Sequence, residues 1–137
     1  MKLEYCKKNT YNIFDDDGDE IIIPFTNILA PFGEEEFKKK RIINFELEPK
    51  KENDTYNILA YVESLESELL NDSYFSEMEN KSPLKKRYPK KPLLRVHIND
   101  DSIEFINKGV YSGNIKLEKV WIWRKTMGIY ISIVDLK

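Results

Sequence analysis

The sequence predicts a mainly β domain, a small barrel or open sandwich of five or six strands with one packed amphipathic helix. Three observations support this fold class. Apolar and polar residues alternate in several segments, a single segment has helical spacing, and 137 residues are enough for one domain with its own core. We expect residues 1–20 to be a loosely ordered acidic N-terminal segment and residues 21–137 to form the domain.

The first strands are predicted from short patterns. Ile21–Phe25 is an apolar run that we expect to form a strand ended by Pro24, and Pro31–Gly33 is a turn. In Glu34–Arg41 acids precede bases, an order that favours one helical turn. The alternation of apolar and polar residues in Ile42–Leu47 then predicts a half-buried strand.

A helix is predicted over residues 55–71. Its N-terminus can be capped by Asp54 or Thr55. Its apolar residues fall at helical spacing and are expected to pack on the barrel: Leu59, Val62, Leu65 and Leu69. The opposite face carries acids, so we expect Glu63 and Glu66 to lie in water.

The C-terminal half is predicted to consist of strands. Leu94–Ile98 alternates between apolar and polar residues, and Asn99–Asp101 turns the chain into a hairpin partner at Ile103–Phe105. Ile115–Trp123 and Ile129–Ile133 are the last two predicted strands, and a short polar turn joins them.

Composition argues against several function classes. One cysteine and one histidine cannot supply the four ligands of a zinc site, and the five glycines form neither a P-loop nor a dinucleotide fingerprint. His97 lies mid-strand with no nucleophile motif nearby, so we expect no enzyme activity, cofactor, metal or small-molecule substrate.

The apolar runs are too short to span a bilayer and no signal peptide is visible, so we expect no membrane contact. The lone Cys6 fits a reducing compartment.

Charge is segregated along the chain, although the net charge is only −2. Residues 15–20 and 54–79 carry acids and no base, whereas residues 81–95 carry seven Lys or Arg and no acid. A local basic segment can bind nucleic acid even in an acidic protein. An ordinary solvated loop is the alternative interpretation of the same run.

Binding of single-stranded nucleic acid requires cations along the backbone and aromatic faces on which bases stack. The basic run has both, because Tyr88 stands among cations while Pro89 and Pro92 hold the chain extended. Tyr88 is therefore the preferred stacking candidate. The full set of candidate binding residues is Lys85, Lys86, Arg87, Tyr88, Lys90, Lys91, Arg95, His97, Tyr111, Trp121, Trp123, Arg124 and Lys125.

The two tryptophans have two interpretations. Trp121 and Trp123 share one strand face and are followed directly by Arg124 and Lys125, which favours DNA contact. The alternative is that they pack in the core while Val120 and Ile122 face outward. We expect at least one of the tryptophans to be buried.

The order of several segments resembles the single-stranded-DNA-binding proteins of nucleocytoplasmic large DNA viruses, which are similar to the oligonucleotide-binding (OB) fold replication proteins of podoviruses. The resemblance covers about residues 28–137. The segments that carry it are Pro31–Gly33, Ile42–Leu47, the amphipathic helix, Tyr88–Val96 and Val120–Trp123 followed by Gly128–Val134.

This resemblance implies an OB-like barrel that binds single-stranded DNA with low sequence specificity and without catalysis, in viral DNA replication, recombination or repair. It implies replication proteins or further copies of the chain as partners, and a location in the host cytoplasm or nucleus, or in the virion. The residues that it assigns to DNA are Tyr88, Lys90, Lys91, Arg95 and the Trp121–Trp123 strand.

One departure from the podovirus proteins affects the expected partners. Those proteins recruit partners through an acidic C-terminal tail, whereas this chain stops at Val134–Lys137, so we do not expect recruitment through a tail. The alternative function is a protein-interaction or virion structural module that uses an OB-like barrel without binding nucleic acid.

Overall fold

The computed structural model describes residues 1–47, 54–87, 89–104 and 107–137, with side chains of the helix from residue 58 onward. Within these ranges the chain forms ten strands and one helix. Their bounds are β1 Lys2–Lys7, β2 Thr10–Phe14, β3 Ile21–Ala30, β4 Glu34–Phe37, β5 Lys40–Glu46, α1 Asp54–Leu70, β6 Glu79–Asn80, β7 Leu84–Arg87, β8 Lys90–His97, β9 Gly109–Trp123 and β10 Thr126–Leu136.

Five of these strands pair in a ring, in the order β3, β5, β8, β10, β9 and back to β3. β8 and β10 run parallel, and the other neighbours in the ring run antiparallel. The remaining strands add to this ring: the β1–β2 hairpin lies beside β9, while β4, β7 and β6 flank β5, β8 and β10. The fold is therefore mainly β, an OB-like barrel with one helix, and the predicted fold class is confirmed.

Two of the ring contacts are narrow. In the described chain, β3 meets β5 only at Leu29 and Glu46, and β8 meets β10 only at His97 and Ser132. By contrast, the β9–β10 hairpin pairs along nearly the whole length of β10. The barrel is thus continuous but is closed by two short seams.

The predicted helix is confirmed, and its apolar side packs on the barrel. Ile58, Val62, Leu65 and Leu69 are buried in the same core as the strands, and Leu59 packs against it. Glu66 was wrongly expected in water, since it is 8% exposed and accepts a hydrogen bond of 2.7 Å from Asn80. Across the described ranges, no helix has the length and apolar character needed to cross a membrane.

Four local expectations differ from the structure. Residues 1–20 contain the β1–β2 hairpin instead of a loosely ordered segment, because Leu3 and Ile13 face the core and anchor it. β3 continues through Pro24 to Ala30. The stretch 34–41 is an antiparallel hairpin of β4 and β5, not a helical turn. After β8, Ile103 is buried in a loop and not in a paired strand, and Phe105 lies outside the described residues.

Candidate nucleic-acid interface

The outer face of β8 presents two polar side chains beside each other. Leu94 and Val96 point into the core, so alternation places Arg95 and His97 on the outside. Pairing sets Asn44 of β5 opposite Arg95 and Ser132 of β10 beside His97, on the same outer face. Ile42 of β5 lies opposite His97 and is buried, so this face carries polar side chains around one covered apolar residue.

Aromatic rings and cations alternate across this face. The Arg95 guanidinium lies 4.6 Å from the centre of the Phe37 ring. The His97 ring stacks on Tyr130, with centroids 4.1 Å apart and planes 15° from parallel, and Lys119 Nζ lies 4.9 Å from the Tyr130 centroid. We call these five residues the outer stripe: Phe37, Arg95, His97, Tyr130 and Lys119. Cation–ring contacts of this kind hold flat faces and positive charge close together.

Two polar atoms of the outer stripe are buried without a partner in the described chain, Nε of Arg95 and Nδ1 of His97. A buried polar atom that makes no hydrogen bond is unfavourable by about 1–3 kcal/mol. Such atoms are uncommon in folded proteins, and they are often explained by a function. The two atoms lie on adjacent outward positions of one strand, but the side chains around them exclude solvent from both.

The protonation states of the two side chains differ. The pKa of His97 is lowered to about 4. Burial is the main cause, the positive charge of Arg95 adds to it, and Glu118 acts in the opposite direction. His97 is therefore neutral near pH 7. Burial also lowers the pKa of Arg95, but a guanidinium stays protonated in proteins. Arg95 is the charged member of the pair, and His97 contributes a neutral ring.

Acidic side chains at the border of the face are engaged with protein groups. Glu46 pairs with Arg87 at 3.3 Å and with Lys91 at 4.0 Å. Glu35 accepts a hydrogen bond from Asn44, and Glu118 accepts one from Ser132. The face is thus not uniformly positive, and Glu46 offsets two of the candidate cations.

The predicted basic run forms the β7–β8 hairpin. Lys85 pairs opposite the buried Leu93, whereas Lys86 reaches Glu63 of α1 at 3.7 Å. The exposed Lys90 and Lys91 begin β8, next to Arg87, which hydrogen-bonds the Lys91 carbonyl. Tyr88, the preferred stacking candidate, lies outside the described residues, so its role stays a prediction.

The tryptophans do not belong to the core, and the expectation that at least one is buried is wrong. Val120 and Ile122 are buried instead, while Trp123 is 61% exposed and Trp121 is partly exposed. The Trp121 indole lies against Gly128, where an added Cβ would come within 2.5 Å of the ring. The turn after Trp123 carries the exposed cations Arg124 and Lys125, and the Arg124 guanidinium lies 5.5 Å from the Trp123 ring.

Tyr111 lies apart from the outer stripe. It pairs opposite the buried Ile28, packs against the core, and donates a hydrogen bond to the carbonyl of Asn107. Its side chain therefore packs at one end of the barrel, away from the outer stripe, and its role in DNA binding stays a prediction.

Sequence reasoning missed five residues of the face: Phe37, Lys38, Lys39, Lys119 and Tyr130. Tyr130 could have been found from the alternation of β10, in which Ile129 and Ile131 are buried. Phe37 and the lysines after it form the β4–β5 turn, in which Lys38 and Lys39 have φ of 50° and 64°. Lysine is an unusual choice at such positions, where glycine and asparagine are favoured, so the turn has no clear signal in the sequence.

Comparison of the chain with protein families, with curated proteins and with solved structures finds no match. The outer stripe and the turns after β4 and β9 are the features of this fold that bear on its function.

Proposed function

We propose that this protein binds single-stranded DNA on the outer stripe, with low sequence specificity and without catalysis. Such a protein would act in DNA replication, recombination or repair, the role that the resemblance implies. The observation that carries the proposal is the close succession of aromatic rings and cations in the stripe, from Phe37 and Arg95 to the His97–Tyr130 stack and Lys119.

The position of the stripe in the barrel supports the proposal. OB barrels bind oligonucleotides on the face of their second and third strands and in the loops after the first and fourth strands. Here β5 and β8 are the second and third strands of the ring, and they carry Asn44, Arg95 and His97 outward. The connection from β3 to β5 contains β4, which ends at Phe37, and the turn after β9 holds Arg124.

The chemistry of the stripe also fits a single strand. Phe37 is exposed, and together with the His97–Tyr130 pair it supplies aromatic rings on which bases can stack whatever their sequence. Arg95 and Lys119 can neutralise phosphates between those faces. A duplex hides the faces of its bases, so the stripe should favour single strands over duplex DNA.

The first prediction concerns salt. If four cations of the face each neutralise a phosphate, a log–log plot of affinity for oligo-dT against salt should have a slope of about −3. Anisotropy of a labelled oligonucleotide measures this slope, with duplex DNA of equal length as the control. Absence of binding at low salt, or binding that does not change with salt, would remove the proposal and favour the protein-interaction or virion structural module.

The second prediction separates stacking from charge. Phe37→Ala should weaken binding of oligo-dT by about 1–3 kcal/mol, the usual contribution of one stacked base, and should leave the salt slope nearly unchanged. Phe32→Ala is the matched control, because Phe32 is an exposed phenylalanine in the turn before β4. Equal losses in the two variants would show that Phe37 is not a stacking platform.

A further inference from the structure

The N-terminal hairpin extends the outer face of the barrel beyond the ring. β2 pairs with β9 so that Thr10 lies opposite Trp121, and the amide of Ile122 donates a 2.9 Å hydrogen bond to the carbonyl of Asn9. Asn9 has φ of 65°, which closes the β1–β2 turn. The hairpin is therefore fixed against the end of β9 that carries the tryptophans.

Pairing aligns a cation with these tryptophans. Lys7 lies opposite Thr10, Thr10 opposite Trp121, and Trp121 opposite Gly128, so the four form one row across β1, β2, β9 and β10. Residues directly opposite each other in neighbouring strands point to the same face. Lys7 therefore shares the outer face with Trp121, and the exposed Lys8 follows it in the turn.

Both tryptophans at this end of β9 are at least partly exposed. Trp121 lies over Gly128, and the more exposed Trp123 is two residues further along the same face, with Arg124 beside its ring. Arg124 has φ of 57°, a conformation that few side chains adopt without a compensating interaction. We call this group the hairpin subsite: Lys7, Lys8, Trp121, Trp123 and Arg124.

The hairpin subsite continues the outer stripe. Lys119, Trp121 and Trp123 are successive outward residues of β9, separated by about 7 Å each. Lys119 is the cation that contacts Tyr130, so it belongs to the stripe and borders the subsite. Two acids lie near this part of the face. Glu4 is opposite Asn12, and Glu118 precedes Lys119 and accepts a hydrogen bond from Ser132.

We propose that the hairpin subsite is a second contact point for the same DNA strand, in which Trp121 and Trp123 stack on bases and Lys7, Lys8 and Arg124 bind phosphates. The proposal rests on the proposed function and adds to it, because it makes the β1–β2 hairpin part of the binding surface. A short oligonucleotide occupies the outer stripe alone, whereas a longer one reaches the hairpin subsite.

The two tryptophans are the only ones in the sequence, and both lie in the hairpin subsite. Intrinsic tryptophan fluorescence therefore reports this subsite, while anisotropy of a labelled oligonucleotide reports binding at any part of the surface. Both signals are measured on the full chain with oligo-dT from about 4 to about 16 nucleotides, the range of OB-fold site sizes. We expect the shortest oligonucleotides to change anisotropy with little quenching, and longer ones to change both.

The double variant Lys7→Ala with Lys8→Ala tests the cations. For the longest oligonucleotide it should lower affinity roughly fivefold per lost contact near 0.1 M salt and flatten the salt slope by about 1.4. For the shortest it should change nothing. The control is Lys108→Ala with Lys137→Ala, which removes the same charge from two exposed lysines near the opposite end of β9.

The outcomes are distinguishable. Anisotropy changes without tryptophan quenching at any length, or equal losses in the two double variants, would overturn the hairpin subsite and leave the proposed function intact. No anisotropy change with any oligonucleotide would remove the proposed function itself. Circular dichroism of each variant confirms the fold, and Trp123→Leu provides a second variant that removes an exposed ring without altering charge.

Discussion

Leu65→Ala should lower the free energy of unfolding by about 2–5 kcal/mol. Leu65 is 5% exposed and packs with Val62 and Leu69 in the core that α1 shares with the barrel. Truncation removes buried apolar surface and leaves a cavity that the strands can fill only in part. Urea denaturation followed by circular dichroism measures the change.

The matched control is Ser64→Ala, one position earlier on the exposed side of the same helix. Alanine is a better helix former than serine, so this variant should be neutral or slightly stabilising. A cost near zero for Leu65→Ala would mean that α1 does not pack on the barrel. The helix would then be displayed for a partner, as the protein-interaction alternative requires.

Acid should destabilise the protein through His97. Its pKa falls from an ordinary 6.5 to about 4 in the folded chain, mainly through burial, with Arg95, Lys119 and Lys40 adding positive charge around it. Between these two values the unfolded chain binds more protons than the folded chain, so stability falls as the pH drops from about 6.5 to about 4. The full shift corresponds to about 3.4 kcal/mol. Because His97 is only partly buried and solvent screens its charge, we expect a loss of roughly 2–3 kcal/mol.

Comparison with His97→Gln isolates this contribution, because the carboxylates that also titrate in acid are common to both proteins. We expect the wild type to lose more stability than the variant between pH 6.5 and pH 4, and the two to change in parallel between pH 7 and pH 8. Identical pH profiles would show that His97 is not buried in its neutral form.

The face that each residue occupies was predictable where alternation is regular. In β8 the apolar residues Leu94 and Val96 alternate regularly with polar ones, so the sequence alone places Arg95 and His97 on the outer face. In β9 alternation misleads. Ile115 and Leu117 point inward, so strict alternation would also point Trp121 inward. The pairing register between β9 and β10 shifts by one residue before Lys119, and the Trp121 indole therefore points outward. A bulge of this kind has no signal in a single sequence.

Pairing between distant strands was not predictable. The stack of His97 on Tyr130 depends on the parallel contact of β8 with β10, which alternation cannot identify. The β4–β5 hairpin was missed for a different reason. Glu34 and Arg41 form an ion pair at 2.7 Å across the hairpin, and the same order of charges also suits a helical turn. Opposite charges some seven positions apart therefore do not discriminate between the two structures.

The two short seams divide the ring into β3, β9 and β10 on one side and β5 and β8 on the other. The outer stripe crosses one of these seams, since Arg95 and His97 belong to β8 while Tyr130 belongs to β10. A strand of DNA bound along the stripe would bridge the two groups of strands where few backbone hydrogen bonds join them. If DNA binds only the closed barrel, then DNA binding stabilises the closed barrel, and a closed barrel binds DNA more tightly. Bound DNA would hold the two groups of strands together, so the barrel should open least readily in the DNA-bound protein.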